Sequence, residues 1–337
     1  MASFAPGSVK LFGEHAVIYD RVGLSASFDR YANVKVSRPE GKSVEIVLPD
    51  LGLGRTLGED EVKKGFEDVD SVLASGGLRE LEAMRQGNFA LPFVYIVGSV
   101  FLRTGFMPLR VEVKSDVPKY SGLGSSSAIF AALACELNNF CRLRLSSDGI
   151  ADLANKGDSV VHGKPSGIDA NTCVRGGFIR FRKSEGVKPF EVKSQIQAVI
   201  ANTLVKKNTG EMISRVAKAY AADRPRLDAI FDDVQEAAFA GMDAIRERDM
   251  VKLGAEFERA QSCFEKLGLS TRESDDIIRF AKKKGAYGAK ITGAGGGGCV
   301  IILSEAQGRL SKLLNAAGYP SFETALGVHG AKHTELG

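Results

Sequence analysis

The chain has 337 residues, 38 of them glycine, and a formal net charge of +4. That length suits about two domains at roughly 150 residues each. With 44% hydrophobic residues and only 10 prolines, the composition excludes a collagen-like or disordered chain, and the charge implies no strong field for nucleic acid or membrane. Cys135, Cys141, Cys173, Cys263 and Cys299 are widely spaced, and none forms a C-x-x-C pair. A disulfide framework or zinc ribbon is therefore not expected, and a reducing, cytoplasmic compartment is. Lys10, Glu14 and His15 interrupt the N-terminal sequence before any long apolar run, so no signal peptide is expected there. No uncharged run of about 18 apolar residues occurs, so no membrane-spanning helix is expected.

In chain order, residues 8–18 and 24–37 are rich in Val, Phe, Ile, Tyr and Ala and predict strands, and 43–48 alternates as a third. Residues 59–86 predict polar helix broken at Gly76-Gly77, and the apolar run 89–102 a buried helix. A strand over 109–114 precedes a loop and an apolar helix over 125–140. A helix over 146–161 and strands over 177–182 and 198–205 follow. Helical pattern begins after Asn208-Thr209 and dominates to about 284. Leu227, Ile230, Phe231, Val234, Ala238 and Ile245 form a core-facing stripe within it. Ser270 and Glu273 read as a capping box. The chain ends in strands over 288–292 and 299–303, a helix after Ser304, and a tail expected to fray. This order predicts an α+β fold of two closely packed domains, 1–185 and 186–337.

Four segments carry candidate chemistry. Pro118–Ala128, PKYSGLGSSSA, follows a strand and opens a helix. Gly122 and Gly124 allow positive φ and close approach to a ligand, and Ser125, Ser126 and Ser127 bring hydroxyls and free N–H groups to a helix N-terminus. That arrangement suits phosphate, and an ordinary glycine turn with a serine cap reads equally well. No Walker pattern is present: Gly41-Lys42-Ser43 supplies only its end. Gly293, Gly295 and Gly298 fit G-x-G-x-x-G, but a strand follows where a dinucleotide fold needs a helix. The consecutive glycines Gly295–Gly298 predict that a ligand or the first domain passes close to this backbone. On the strand of APGSVKLFGEH, Ser8, Lys10 and Phe12 share a face, and a solvated edge lysine is the ordinary reading of Lys10. DSVVHGKPSGID places Asp158, His162 and Asp169 around a Gly/Pro loop, where one carboxylate could orient a hydroxyl and the other hold Mg²⁺. His329 and His333 are four apart without a third ligand nearby, and Lys282–Lys284 reads as a solvated helix end.

Together these segments resemble the GHMP kinases. The A-P-G strand, the P-x-x-x-G-L-G-S-S loop and the late G-A-G-G-G-G loop stand in the family's order across nearly the whole chain. Within the family, LFGEHAVIY and HGKPSGID are similar to the branch that acts on mevalonate. The resemblance implies a two-domain α+β fold with its site in the cleft, and ATP- and Mg²⁺-dependent phosphorylation of the 5-hydroxyl of mevalonate. It places Pro118, Ser121, Gly122, Leu123, Gly124, Ser125, Ser126 and Ser127 at the nucleotide, and Ser126 and Asp158 at Mg²⁺. It puts Glu14, His15, Ser166, Gly167, Gly295 and Gly296 at the substrate and makes Asp169 catalytic. Two positions depart from the pattern. Ser8 stands where the family carries Lys, and Lys10 is expected to substitute for it. Tyr120-Ser121 replaces Gly-Ala at the loop's mouth. The alternatives are a kinase of phosphomevalonate, with Lys164, Lys206 and Lys207 for the extra phosphate, another GHMP small-molecule kinase, or a non-catalytic nucleotide- or sugar-binding regulator. No nucleic-acid or membrane partner is expected, and a homodimer is left open.

Overall fold

The computed structural model describes residues 2–119, 121–192, 194–206 and 208–334. Tyr120 and Lys207 lie outside the described residues. The first half runs β1 (Ala2–Phe12), β2 (Gly23–Ser37), β3 (Val44–Leu48), β4 (Leu53–Leu57), α1 (Glu59–Ser75), α2 (Leu78–Arg85), α3 (Leu91–Thr104), β5 (Leu109–Ser115), α4 (Ser125–Phe140), α5 (Ser147–His162), α6 (Ile168–Arg175), β6 (Phe178–Arg182) and β7 (Gly186–Phe190). The second runs β8 (Ile196–Asn202), α7 (Thr209–Ala222), α8 (Arg224–Glu247), α9 (Met250–Lys266), α10 (Arg272–Lys283), β9 (Gly288–Thr292), β10 (Cys299–Leu303), α11 (Gln307–Ala316), β11 (Ser321–Leu326) and β12 (Lys332–Thr334). The chain is thus a mixed α+β protein of two domains.

One sheet runs through both halves in the order β4-β3-β5-β2-β11-β8-β10-β9. The halves meet where β11 pairs with β2 at Leu326 and Phe28. β1 lies antiparallel to β2 and carries β12 on its other side. Val9, Leu11, Val34 and Val111 from the strands meet Phe130, Ala131 and Leu133 of α4 and Ile96 of α3 in one buried core. Burying each large apolar side chain there contributes about 1.5–3 kcal/mol. In the second half, the predicted stripe of α8 is buried along its length, with Phe231 stacked on Tyr19.

Several sequence expectations are corrected. The first strand does not reach residue 18. Gly13 at φ +92° and His15 at φ +61° leave the extended region, and Ala16–Tyr19 forms a 3₁₀ turn. A register shift between Lys10 and Phe12 breaks the shared face, and Phe12 packs on Phe257. The cap of α10 is one residue late: Thr271 and Ser274 make the capping box, not Ser270 and Glu273. The tail does not fray before Thr334, because β12 pairs with β1. His333 lies on that strand and bonds Glu136 at 2.8 Å, so the two histidines share no helix face.

Candidate active site

The loop before α4 is fixed from below by its apolar residue. Leu123 is fully buried, and its carbonyl accepts the N–H of Ser8 on β1 at 3.1 Å. Gly122 and Gly124 have φ of +78° and +64°. A Cβ at Gly124 would stand 2.3 Å from Ser8 Oγ and 3.0 Å from Ser8 N, so only glycine lets strand and loop touch. Ser121 Oγ donates to Pro118 O at 2.6 Å and Ser125 Oγ to Val117 O at 3.4 Å, which closes the loop on itself. The first helical bond of α4 runs from Ala128 N to Gly124 O. The N–H groups of Ser125, Ser126 and Ser127 therefore have no partner within the helix and present positive partial charge.

Asp158 reaches this end from the last turns of α5. It is 2% exposed, and it accepts Ser126 Oγ at 3.0 Å and Ser127 Oγ at 2.5 Å on its two oxygens. Burial and the charge of Asp169 push its carboxyl up to about 7 against the serine hydrogen bonds. One turn on, His162 Nε2 lies 3.3 Å from Ser126 Oγ.

Asp169 stands in the first turn of α6, an element the Gly/Pro-rich sequence concealed. Gly167 caps that helix at φ +77°. Both Lys10 Nζ and Ser8 Oγ donate to Asp169 Oδ1. Lys10 is thus no solvated edge lysine: its side chain is 20% exposed and ion-paired. Burial would raise the Asp169 carboxyl, but the Lys10 ammonium and the hydrogen bonds from Lys10 and Ser8 hold it below the usual range. Ser166 is exposed at the start of this turn, where its hydroxyl accepts Ile168 N at 3.4 Å. Lys164 and Lys206 are also exposed.

The turn after β1 docks on the second half. Glu14 Oε1 accepts Lys290 Nζ at 2.6 Å, and His15 Nε2 lies 2.8 Å from Ala294 O. Thr292 Oγ1 accepts Lys10 N and donates to Lys10 O, both at 3.1 Å. Burial pulls the His15 imidazole below its usual range, so the ring is neutral near pH 7. Sequence reading missed Lys290 because a lysine inside KIT before a glycine loop looks like any strand lysine. The glycine loop itself is held mainly by its own half. Cβ atoms at Gly295, Gly296 and Gly297 would meet Leu269 O at 2.7 Å, Met212 Sδ at 2.7 Å and Val205 O at 2.6 Å.

The structure therefore gathers Lys10, Ser8, Asp169, Asp158 and the α4 N-terminus into one cluster. Glu14, His15 and the late loop adjoin it through Lys10 and Thr292. Among the described residues, no group of three His, Cys, Asp or Glu side chains forms a metal cluster. No helix among them is long and apolar enough to cross a membrane.

Comparison with known proteins adds lineage to this geometry. The family model described as GHMP kinases N terminal domain matches residues 93–177, and that described as GHMP kinases C terminal matches 242–319. The chain is 29% identical over 339 residues to a mevalonate kinase of Aeropyrum pernix, covering 98% of each chain. It is 28% identical to one of Pyrococcus furiosus, again covering 98% of each. In fold it is similar to the Methanococcus jannaschii mevalonate kinase, with TM-score 0.81, 24% identity and coverage of 96% and 97%. A mevalonate kinase of L. major, solved in complex with R-mevalonate, matches with TM-score 0.76, 19% identity and coverage of 98% and 97%.

Proposed function

The chain belongs to the GHMP kinases, and from that premise we propose that it transfers the γ-phosphoryl group of ATP to the 5-hydroxyl of mevalonate. The observation that carries the reading is the shared carboxylate of Asp169. Lys10 and Ser8 grip one of its oxygens beside a helix N-terminus built for phosphate. We place the domain division at 185/186, with the cleft between the two.

The Pro118–Ser127 loop binds the nucleotide phosphates through the free N–H groups of Ser125, Ser126 and Ser127, with Gly122 and Gly124 keeping its surface bare of side chains. Ser126 and Asp158 offer a compact, all-oxygen donor set with one carboxylate, which fits Mg²⁺. The ion, when bound, neutralises charge on the phosphate oxygens. Asp169 accepts a hydrogen bond from the 5-hydroxyl, fixes its line of attack, and takes its proton as the new O–P bond forms and the bond to ADP breaks. Its depressed pKa makes it a weak base, so orientation supplies most of its effect. Lys10 replaces the amine that the family carries at the position of Ser8, and it offsets charge developing on the transferred group. Glu14 and His15, with Ser166, Gly167, Gly295 and Gly296, enclose the remainder of the substrate.

ADP release with ATP and Mg²⁺ against mevalonate, phosphomevalonate, homoserine and galactose tests the reading. Turnover is expected with mevalonate. Silence with mevalonate and turnover of another alcohol reassigns the substrate. Silence with all four favours a nucleotide- or sugar-binding regulator.

A further inference from the structure

Lys290 is fully buried in the middle of β9, where a charge has no water to solvate it. Its ammonium is held by Glu14 Oε1 at 2.6 Å and by the carbonyl of Ile291 at 2.6 Å, with the Phe264 ring 5.4 Å away. Glu14 is 9% exposed, and its other oxygen, Oε2, is buried without a hydrogen-bond partner. His15 Nδ1 is likewise buried and unpartnered. A carboxylate with one oxygen pinned and the other vacant is an acceptor waiting for a donor, because an unmade buried hydrogen bond is costly. The contacts alternate along β9 into the glycine loop: Lys290 holds Glu14, Thr292 holds Lys10, and the Ala294 carbonyl holds His15. Residues 290 and 292 lie on one face of the strand.

We propose that Lys290 is a positioning residue for substrate binding: it locks the Glu14 carboxylate so that its free Oε2 receives a hydroxyl of the alcohol substrate. The proposal rests on the mevalonate reading given above. Lys290 touches no substrate itself and acts through Glu14. It also ties the substrate turn of the first half to the strand of the second. A purely structural ion pair gives no reason for a vacant buried oxygen on Glu14 and a second vacant acceptor on the next residue.

Kinetics of the full chain with separate titrations of mevalonate and ATP test this. In Lys290→Met, KM for mevalonate is expected to rise about tenfold or more while KM for ATP stays within about twofold. Glu14→Gln is expected to raise the mevalonate KM similarly. The double variant is expected to be no worse than Glu14→Gln alone, since Lys290 has nothing left to position. Lys290→Gln keeps a donor for Oε1 without burying a lone hydrophobe against a carboxylate. It supplies the same comparison should Lys290→Met not fold, with a smaller rise in the mevalonate KM. Unchanged mevalonate KM in a folded Lys290 variant overturns the proposal, and so does a further loss in the double variant. A native chain that does not turn over mevalonate overturns the underlying reading instead, and the proposal with it.

Discussion

At the residue scale, the site is a contest over two carboxylates. Asp169 is kept ionised by Lys10 and Ser8, whereas burial and the charge of Asp169 hold the deeper Asp158 partly protonated near neutrality, against its serine hydrogen bonds and a smaller pull from Lys10. Asp169→Asn removes the proposed acceptor for the hydroxyl proton, and kcat is expected to fall at least ~10²-fold while ATP binding survives; near-native turnover refutes the assignment. Lys10→Ala is expected to cost on the order of tenfold or more in kcat, and a loss under a few-fold would mean that no lysine is needed where Ser8 stands. Asp158 gives a pH signature in the metal-free protein. Its folded-state pKa is about 7 against a usual 3.8, so folding favours the proton. The stabilisation is whole below the unfolded pKa and is lost as pH rises through about 7. Melting temperature with chelator present is therefore expected to drop between about pH 4 and pH 8 in the native chain, and to drop less in Asp158→Asn. Parallel curves for the two would contradict this. Lys10 was identifiable from sequence only through its motif; its pairing with Asp169 depends on an approach across 159 residues of chain, which no local pattern encodes.

At the element scale, legibility followed periodicity. The helix over 125–140 has a long apolar run and a glycine start, and its sequence reading coincides with α4. The α8 stripe was equally plain. α6 escaped because it has only eight residues and follows Gly163, Pro165 and Gly167, which read as loop. β4 and β7 escaped because they are short return strands of local hairpins on β3 and β6, and β11 and β12 because they are short and held by partners distant in sequence. The glycine loop shows how chemistry and packing can share one signal: its close neighbours are Leu269, Met212 and Val205, although the sequence suggested a ligand or the other domain. Gly124 is the sharper case, since its φ of +64° and its contact with the Ser8 backbone both exclude a side chain. Gly124→Ala is expected to cost about 1–3 kcal/mol of stability and, by pushing the loop off β1, to weaken ATP binding more than mevalonate binding. Chemical denaturation with nucleotide titration checks both, and an unperturbed ATP affinity would mean the loop does not hold phosphate.

At the scale of the whole molecule, the end of the chain buttresses the beginning. After β11 joins the second-half strands to β2, the chain crosses back and lays β12 on β1. On the way it grips the helix that carries Asp169, with Ala331 N donating to Cys173 O and Val174 O, and it ties to β2, where Ser27 Oγ donates to Val328 O at 2.6 Å. Gly176 packs so tightly on this segment that a Cβ there would stand 2.1 Å from Gly330 N. Glu136, buried in the apolar face of α4, takes its partners from Ser3 and His333. The two-domain plan was legible from the order of motifs, but this return was not, because a short polar tail carries no pattern of its own. Ending the chain at Gly327 would strip α6 of these bonds and leave Glu136 with one partner. Melting temperature is then expected to fall, and kcat to fall on the order of ten- to hundredfold, since a shift of about 1 Å in Asp169 is enough for that. KM for ATP is expected to move little, because the α4 loop is anchored on Ser8 rather than on the tail. A truncated chain with native kcat would show that α6 holds Asp169 in place without the returning strand.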